Sequence, residues 1–200
     1  MTWSLWAGFA LISAVNIITP GPANLNTMRR ALQLGRRCVW PTIFGNALGL
    51  ALGGLACLLG LAGLLRATPG AWLVFQMLGA GYLAWLGGKL LLRRETLVLN
   101  GSCPAGHGLF VEALTLAATN PKALLFYMAL FPQILAPDQS LLAQGAVLIT
   151  TYCGLSICSL NLYAGVAQIL RDRALDQRGY DWFRRLSGLV LLGFALHLVL

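Results

Sequence analysis

Six apolar stretches take up most of this chain of 200 residues, and almost all charged side chains lie in the segments between them. Only 10% of the residues are charged, whereas soluble globular domains average about 25%. A membrane-spanning helix needs roughly 20 predominantly apolar residues, so six of them would use about 120 residues. Almost nothing is left for a soluble domain. We therefore predict an all-α integral membrane protein, a single bundle of six transmembrane helices.

The apolar stretches predict the limits of the six helices. They cover Trp3–Thr27, Val39–Leu65, Ala71–Leu92, Leu109–Gln133, Leu141–Leu170 and Leu186–Leu200. The first lacks the basic start of a cleavable signal peptide, so we expect it to stay in the mature protein. The fifth is long enough to tilt or to contain a break. The last is short, and it spans the bilayer only if Arg184 and Arg185 extend their long side chains to the interface.

Basic residues are distributed unequally among the five connections between these stretches. Twelve of the 14 lysines and arginines lie in or beside connections one, three and five, namely Arg29, Arg30, Arg36, Arg37, Lys89, Arg93, Arg94, Arg171, Arg173, Arg178, Arg184 and Arg185. Because cytoplasmic connections carry the excess of basic residues, we predict that these three are cytoplasmic and that both termini face outward. The net charge of +8 then reflects orientation, and no nucleic-acid partner is expected.

The sequence shows none of the patterns that catalytic or metal sites require. It contains no nucleophile–base arrangement, phosphate-binding loop or metal-ligand spacing, so we expect a protein that is not an enzyme and needs no metal or other cofactor. The cysteines include no C-x-x-C pair, which supports neither a disulfide framework nor a zinc site. We expect them to pack as small hydrophobic residues. They are Cys38, Cys57, Cys103, Cys153 and Cys158.

Glycine is frequent in the second and third apolar stretches. The second contains the run GNALGLALGGLACLLGLAGLL, and the third contains Gly79, Gly81, Gly87 and Gly88. In a membrane bundle, small residues let helix backbones approach each other closely. We expect most of these glycines to serve packing and a minority to form sliding surfaces if the bundle changes shape.

Two of the stretches contain proline well away from their ends. The first includes Thr19-Pro20-Gly21-Pro22, and the fourth includes Thr119-Asn120-Pro121-Lys122. Pro20 and Pro121 are 101 residues apart, half the chain length. Proline lacks a backbone donor and clashes with the preceding turn, so each site should break or kink its helix. Three spans per half would insert the second half upside down. We therefore predict two inverted three-helix repeats, at about 1–95 and 105–200.

Each break should start a second half-helix near the middle of the membrane. Thr19 and Asn120 are good N-cap residues, and Pro20 and Pro121 would then occupy the favoured first helical position. A helix start offers free N–H groups and partial positive charge, which suit a carboxylate. Broken helices at corresponding positions of two halves indicate a transporter binding site. The alternative is a kink without function, because membrane helices tolerate proline where neighbours satisfy the backbone.

Three further polar residues accompany the breaks. Lys122 lies inside an apolar stretch, where a cation costs about 2.5–3.5 kcal/mol. We expect it to attract a substrate carboxylate; alternatively it bonds the freed carbonyls of the break or extends outward. Asn24 lies one turn past Pro20, where it could line the same cavity. Glu112 is embedded near the cytoplasmic end of its stretch, and it either pairs with an arginine or titrates during transport.

These residues resemble the signature of a known family. The run TPGPANLNTMRRALQLGRRCVWPTIFGNALGL is similar to a motif of the LysE/RhtB amino-acid exporter family, as are GAGYLAWLGGKLLLRR and NPKALLFYMALFPQ. The resemblance covers nearly the whole chain and implies a single LysE-type transporter domain, 1–200. Ala23 stands where members often carry Asn or Asp after the proline motif. The family's motifs correspond here to Pro20, Gly21, Pro22, Asn120, Pro121 and Lys122.

The resemblance implies a bacterial inner-membrane secondary transporter that exports amino acids or related metabolites, driven by the proton-motive force. Since the sequence places no acid near mid-membrane, a neutral amino acid is favoured over lysine. Two alternatives stay open: an exporter of another small solute or ion, and a membrane assembly protein without transport. Expected partners are the substrate and the lipid bilayer, and a homo-oligomer stays open. The expected substrate site is Thr19, Pro20, Gly21, Pro22, Asn24, Asn120, Pro121 and Lys122, with Glu112 as a proton-coupling residue.

Overall fold

The computed structural model describes residues 2–61, 69–92, 103, 105–136, 139–174 and 176–199, and these ranges contain helices and no strands. The helices are α1 (Trp3–Ile18), α2 (Pro22–Leu34), α3 (Trp40–Ala56), α4 (Pro69–Leu92), α5 (Gly106–Ala118), α6 (Pro121–Ile134), α7 (Leu141–Ala174) and α8 (Gln177–Val199). A 3₁₀ turn, Arg36–Val39, joins α2 to α3, and a π-helical turn, Cys57–Leu61, follows α3. The connections predicted around Arg66 and around Arg93 and Arg94 lie outside the described residues.

Both predicted helix breaks are present. The axes of α1 and α2 differ by 55°, and those of α5 and α6 differ by 48°. Among the described residues, each half of the chain has a broken helix pair followed by two further helices, α3 and α4 in the first half and α7 and α8 in the second. The long helix of the second half, α7, runs over 34 residues without a break.

Length and composition identify between two and four candidate membrane spans among the described helices. The segments Arg36–Gly60 and Leu141–Arg173 each qualify alone. The bent pairs α1–α2 and α5–α6 qualify if each pair counts as one span. Together with the apolar composition, these helices indicate a membrane protein.

The largest group of buried apolar side chains lies where α1, α3, α6 and α7 meet. The ring of Phe126 lies 4.9 Å from that of Tyr152 and 5.8 Å from that of Phe9. Tyr127 is fully buried in the same group. This packing holds α6 and α7 against α1 and so positions the two breaks relative to each other.

Gly45 and Gly49 of α3 form a small-xxx-small pair that faces α5. A Cβ atom on Gly45 would overlap the backbone oxygen of Phe110, and one on Gly49 would lie 2.7 Å from that of Leu114. Gly53, one step further along α3, has no such neighbour within 4 Å. The two helices thus pack backbone to backbone, as small residues allow in membrane bundles.

The last helix starts well before its apolar stretch, and Arg184 does not extend to the interface. Arg184 is 1% exposed, and its guanidinium donates to the backbone oxygen of Leu90 and to Asp181 (3.4 Å). The condition set for this span, that Arg184 extends to the interface, is therefore not met, because α4 and α8 pack closely here. A Cβ atom on Gly87 would lie only 2.8 Å from the backbone oxygen of Gly188.

Cys38 and Cys103 form a disulfide, which corrects the prediction that the cysteines have no disulfide. Cys38 lies in the 3₁₀ turn after α2, and Cys103 precedes α5, so the bond ties the turn after the first broken helix pair to the segment just before the second. Sequence spacing could not indicate the pair because the partners are 65 residues apart and meet only after the helices pack. Cys57 is buried as predicted, whereas Cys158 is exposed.

Candidate functional site

The two helix breaks line one cavity inside the bundle. Six of the eight residues predicted for a substrate site contribute to it, whereas Pro20 and Pro121 do not. The structure therefore brings together two segments about 100 residues apart in sequence. The lining residues are Asn16, Ile17, Thr19, Gly21, Pro22, Ala23, Asn24, Asn46, Leu50, Asn120, Lys122, Ala123, Tyr152 and Ser156.

The first break starts its second half-helix two residues later than predicted. Gly21 is the N-cap of α2 and Pro22 is its first residue. Thr19 instead ends α1, and its Oγ1 donates to the backbone oxygen of Val15 (2.8 Å). The prediction that Thr19 caps a helix beginning at Pro20 is wrong. Such a helix would include Gly21, and Gly21 avoids the helical conformation because it precedes Pro22. Gly21 precedes Pro22 and is extended, with φ −150° and ψ −179°.

The second break has the predicted cap. Asn120 is the N-cap of α6, its Oδ1 accepts from the backbone N–H of Lys122 (3.1 Å), and Pro121 is the first residue. The N-cap of α2 makes no such side-chain bond, and the first three residues of that helix, Pro22, Ala23 and Asn24, line the cavity. A helix start of this kind carries partial positive charge and suits a carboxylate.

Side chains cover the carbonyl oxygens at the end of α1, which a helix leaves without internal partners. The bonds run from Lys122 Nζ to Asn16 O (2.8 Å) and Thr19 O (3.1 Å), from Asn24 Nδ2 to Ile17 O (3.0 Å), and from Tyr163 Oη to Ile18 O (2.9 Å). Lys122 thus places its charge at the negative end of the α1 dipole. Lys122 therefore bonds freed carbonyls, which was one of the predicted alternatives. These carbonyls belong to the first break, whereas Lys122 itself lies at the second.

The hydrogen-bond partners of the Lys122 ammonium are neutral backbone carbonyls. The ammonium has three donors, and the two backbone carbonyls accept from it without neutralising it. Within the described part of the chain, no carboxylate pairs with Lys122, and no acid lines the cavity. The cavity can therefore accommodate a negative group beside Lys122.

Four further polar side chains, which we call the polar wall, line the same cavity as Lys122. Asn46 Nδ2 donates to Ser156 Oγ (3.0 Å), and Tyr152 Oη donates to Asn16 Oδ1 (3.1 Å). The sequence-based site omitted all four residues. The available signal was their polarity within apolar stretches, but only helix packing shows which of them face the cavity.

The cavity is small in this structure. Its volume is about 40 Å³, which has room for roughly three water molecules. An amino acid is larger than this space. Binding one therefore requires the half-helices or the Lys122 side chain to move.

Glu112 lies outside the cavity, in a buried ion-pair cluster that joins the two halves. Its oxygens accept from Arg29 Nη2 (3.0 Å) and from Arg30 Nε and Nη2 (3.1 and 2.7 Å), and Lys89 Nζ is 3.7 Å away. Pairing with arginine, one of the two predicted alternatives, is present. Helix α2 continues to Leu34, well past the predicted end of the first span, and the carboxylate compensates the arginines in that extension.

The chain is similar to transport proteins over most of its length. The family model described as "LysE type translocator" matches residues 14–200. The homoserine/homoserine lactone efflux protein of Salmonella typhi is 31% identical over 170 residues, covering 84% of this chain and 82% of that protein. The leucine efflux protein of Klebsiella pneumoniae subsp. pneumoniae is 30% identical over 198 residues, covering 94% and 92%. No solved structure matches the chain. The family match includes every residue that lines the cavity.

Proposed function

The chain belongs to the LysE type translocator family, and from that premise we propose that it exports small neutral amino acids across the bacterial inner membrane. The observation that carries this proposal is the cavity at the two breaks, where Lys122 and the start of α2 present positive charge. The carboxylate of an amino acid would lie there. Since no acid lines the cavity among the described residues, a cationic substrate such as lysine is disfavoured.

We propose that six spans form two inverted repeats within one domain, 1–200. The pairs α1–α2 and α5–α6 would each form one span, and α3, α4, α7 and α8 the others. The equal order of elements in the two halves supports this arrangement, as does the meeting of both breaks at one cavity. The arginine-rich end would be cytoplasmic and both termini would face outward.

Uptake into inverted membrane vesicles tests the function, because export from cells becomes uptake into such vesicles. Labelled homoserine, threonine, leucine and lysine would be compared, with and without a protonophore. We expect concentrative uptake of the neutral amino acids that the protonophore abolishes. Uptake of none would contradict the proposal, and uptake that survives the protonophore would contradict drive by the proton-motive force.

The polar wall favours a hydroxylated substrate side chain. The Asn46–Ser156 and Tyr152–Asn16 bonds present donors and acceptors that a substrate hydroxyl can share. An aliphatic side chain would cover the remaining donors and acceptors of these groups without sharing a hydrogen bond, which is how polar sites reject apolar analogues. We therefore propose a substrate like homoserine, named for the Salmonella relative, ahead of leucine, named for the Klebsiella relative.

Replacing Asn46 with Leu together with Ser156→Ala should shift specificity toward leucine. Unpaired buried polar groups cost about 1–3 kcal/mol, so the ratio of homoserine to leucine uptake should fall roughly tenfold. Initial uptake rates in inverted vesicles measure this ratio. Thr42→Ala is the control, since Thr42 is a buried polar residue of α3 that does not line the cavity. An equal fall for both substrates would rule out a role in specificity.

The disulfide provides a test of orientation. Cys38 follows Arg36 and Arg37, so it lies at the end that we place in the cytoplasm, where thiols are kept reduced. The structure has Cys38 and Cys103 joined, which shows that their geometry permits the bond. In untreated cells, cytoplasmic reductants should nevertheless keep both thiols reduced, and exposure of the cells to an oxidant should form the bond. Maleimide labelling after acid quenching measures this, with Cys158 as the free-thiol control. A fully formed bond in untreated cells would contradict the orientation.

We propose that the Glu112 cluster closes the cytoplasmic end of the pathway. Its members come from α2 and α4 of the first half and α5 of the second. Arg29 lies five residues after Asn24, about 7.5 Å along α2 from the cavity. The ion pairs with Arg29, Arg30 and Lys89 stabilise the charged Glu112 carboxylate, so its protonation would accompany separation of the cluster. Opening and protonation would thus be linked, which is the coupling role expected for Glu112.

Replacing Glu112 with Gln should weaken the closed state, since removing one partner of a buried ion pair costs about 3–5 kcal/mol. A cysteine placed in the cavity reports on this opening, by Ser156→Cys in a Cys158→Ser background. In inverted vesicles, it should react several-fold faster with an impermeant thiol reagent when Glu112 is replaced than when Glu112 is present. Asp176→Asn, which changes an exposed acid at the arginine-rich end, should leave the rate unchanged. An unchanged rate in the Glu112 variant would contradict the closing role.

A further inference from the structure

A second cavity opens at the arginine-rich end, between the α2–α3 turn and α7. We call it the arginine pocket; it is lined by Leu34–Cys38 together with Gln168, Arg171 and Asp172, and its volume is about 620 Å³. It shares no lining residue with the cavity at the breaks. The proposed transport pathway assigns it no role.

Two elements build the arginine pocket. Gly35 ends α2 with φ +90°, a conformation that favours glycine, and turns the chain toward α7. A Cβ atom there would lie 3.1 Å from Arg171 Nη1, so glycine also leaves room for that guanidinium. The backbone N–H of Arg36 donates to Gln168 Oε1 (2.8 Å), which ties the turn to α7. The arginines from both elements are therefore held around one space.

The pocket carries more positive than negative charge. Its lining includes the guanidinium groups of Arg36, Arg37 and Arg171 and one carboxylate, Asp172. Asp172 Oδ1 accepts from Gln168 Nε2 (2.7 Å). Guanidinium groups match phosphate oxygens with two parallel hydrogen bonds. The chemistry of the lining therefore suits a phosphate group.

Exposed apolar side chains lie next to the pocket. Ile169 and Leu170 of α7 are 52% and 47% exposed, and Trp40, just after the turn, is 45% exposed. Tryptophan is enriched where membrane meets water, and exposed aliphatic side chains suit contact with acyl chains. The site thus combines groups for a phosphate with a surface for lipid tails.

We infer that the arginine pocket binds the phosphate headgroup of an anionic phospholipid. This inference rests on the membrane placement proposed above and not on transport itself. The pocket would lie at the cytoplasmic interface, where basic pockets between membrane helices bind anionic lipids. The lipid would bridge the α2–α3 turn and α7, and so join elements of the two halves.

Titration of the purified protein in a neutral maltoside detergent tests the inference. Phosphatidylglycerol and zwitterionic phosphatidylcholine are compared, and bound lipid is counted by native mass spectrometry. We expect phosphatidylglycerol to bind at least tenfold more tightly. Arg36→Gln and Arg171→Gln should each weaken it about fivefold, the effect of one basic residue near an anionic lipid surface. Arg185→Gln, which removes an exposed arginine outside the pocket, should leave binding unchanged.

Three results would overturn the lipid assignment. Equal binding of phosphatidylcholine would remove the role of lipid charge. If Arg185→Gln weakened phosphatidylglycerol binding as much as Arg36→Gln and Arg171→Gln do, the binding would reflect the overall positive charge and not the arginine pocket. Displacement of the lipid by inorganic phosphate at equal concentration would assign the pocket to a soluble phosphate. Because binding is measured without transport, failure here leaves the proposed export untouched, and a failed export assay leaves this result valid.

Discussion

Replacing Lys122 with Met is expected to remove most export while the protein still inserts and accumulates. The Lys122 ammonium would bind the substrate carboxylate beside the start of α2, and a hydrogen bond to a charged group contributes about 1.5–3 kcal/mol. The apparent affinity should therefore fall roughly tenfold to more than a hundredfold. Lys122→Arg should restore it only partly, because the wider guanidinium needs a different geometry. Concentration-dependent homoserine uptake in inverted vesicles, at protein levels matched by immunoblot, measures the effect.

The structure gives Lys122 a second role, which needs a separate control. Its Nζ donates to the carbonyl oxygens of Asn16 and Thr19 at the end of α1. Lys122→Gln supplies amide donors for such carbonyls but no charge. If the charge binds substrate, the Gln and Met variants should be similarly impaired. Normal export by the Gln variant alone would make Lys122 a structural residue, whereas normal export by the Met variant would show that neither role is needed. In both cases the site would consist of the half-helix starts.

Substituting Gly45 with a larger residue should strongly destabilise the helix bundle. A Cβ atom at Gly45 overlaps the backbone oxygen of Phe110, and backbone cannot move aside without separating α3 from α5. Overpacking costs about 1–3 kcal/mol, and occasionally more. We expect Gly45→Ala to lower the melting temperature of the purified protein, and Gly45→Val to abolish the monodisperse peak in size-exclusion chromatography.

Gly53→Ala is the matched control for this prediction. Gly53 lies on the same helix, two turns from Gly45, and has nothing within 4 Å of the added Cβ atom. Alanine also has the higher helix propensity, so this variant should keep or slightly raise the melting temperature. If Gly45→Ala and Gly53→Ala behaved alike, the close approach of α3 and α5 would not limit stability.

Helices and helix breaks could be predicted because they depend on local chemistry. The lengths of the apolar stretches indicated the helices, and Asn120 before Pro121 indicated a capped start that is present. The first break was located correctly but with the wrong cap, because Pro22 dictates the extended conformation of Gly21. The helix ends near arginines were the least predictable, since buried Arg29 and Arg184 depend on partners elsewhere in the chain.

Membrane class, helix order and the two interruptions follow from composition and from short runs of residues, whose backbone preferences act over a few positions. The partners within the site do not follow from such runs. Lys122 bonds a carbonyl 106 residues away, Arg29 pairs with an acid 83 residues away, and Cys38 joins a cysteine 65 residues away. Hydrogen bonds and ion pairs form over a few ångströms and need a particular orientation. Which distant side chains meet is therefore set by how the helices pack, through close contacts such as that of Gly45 with α5.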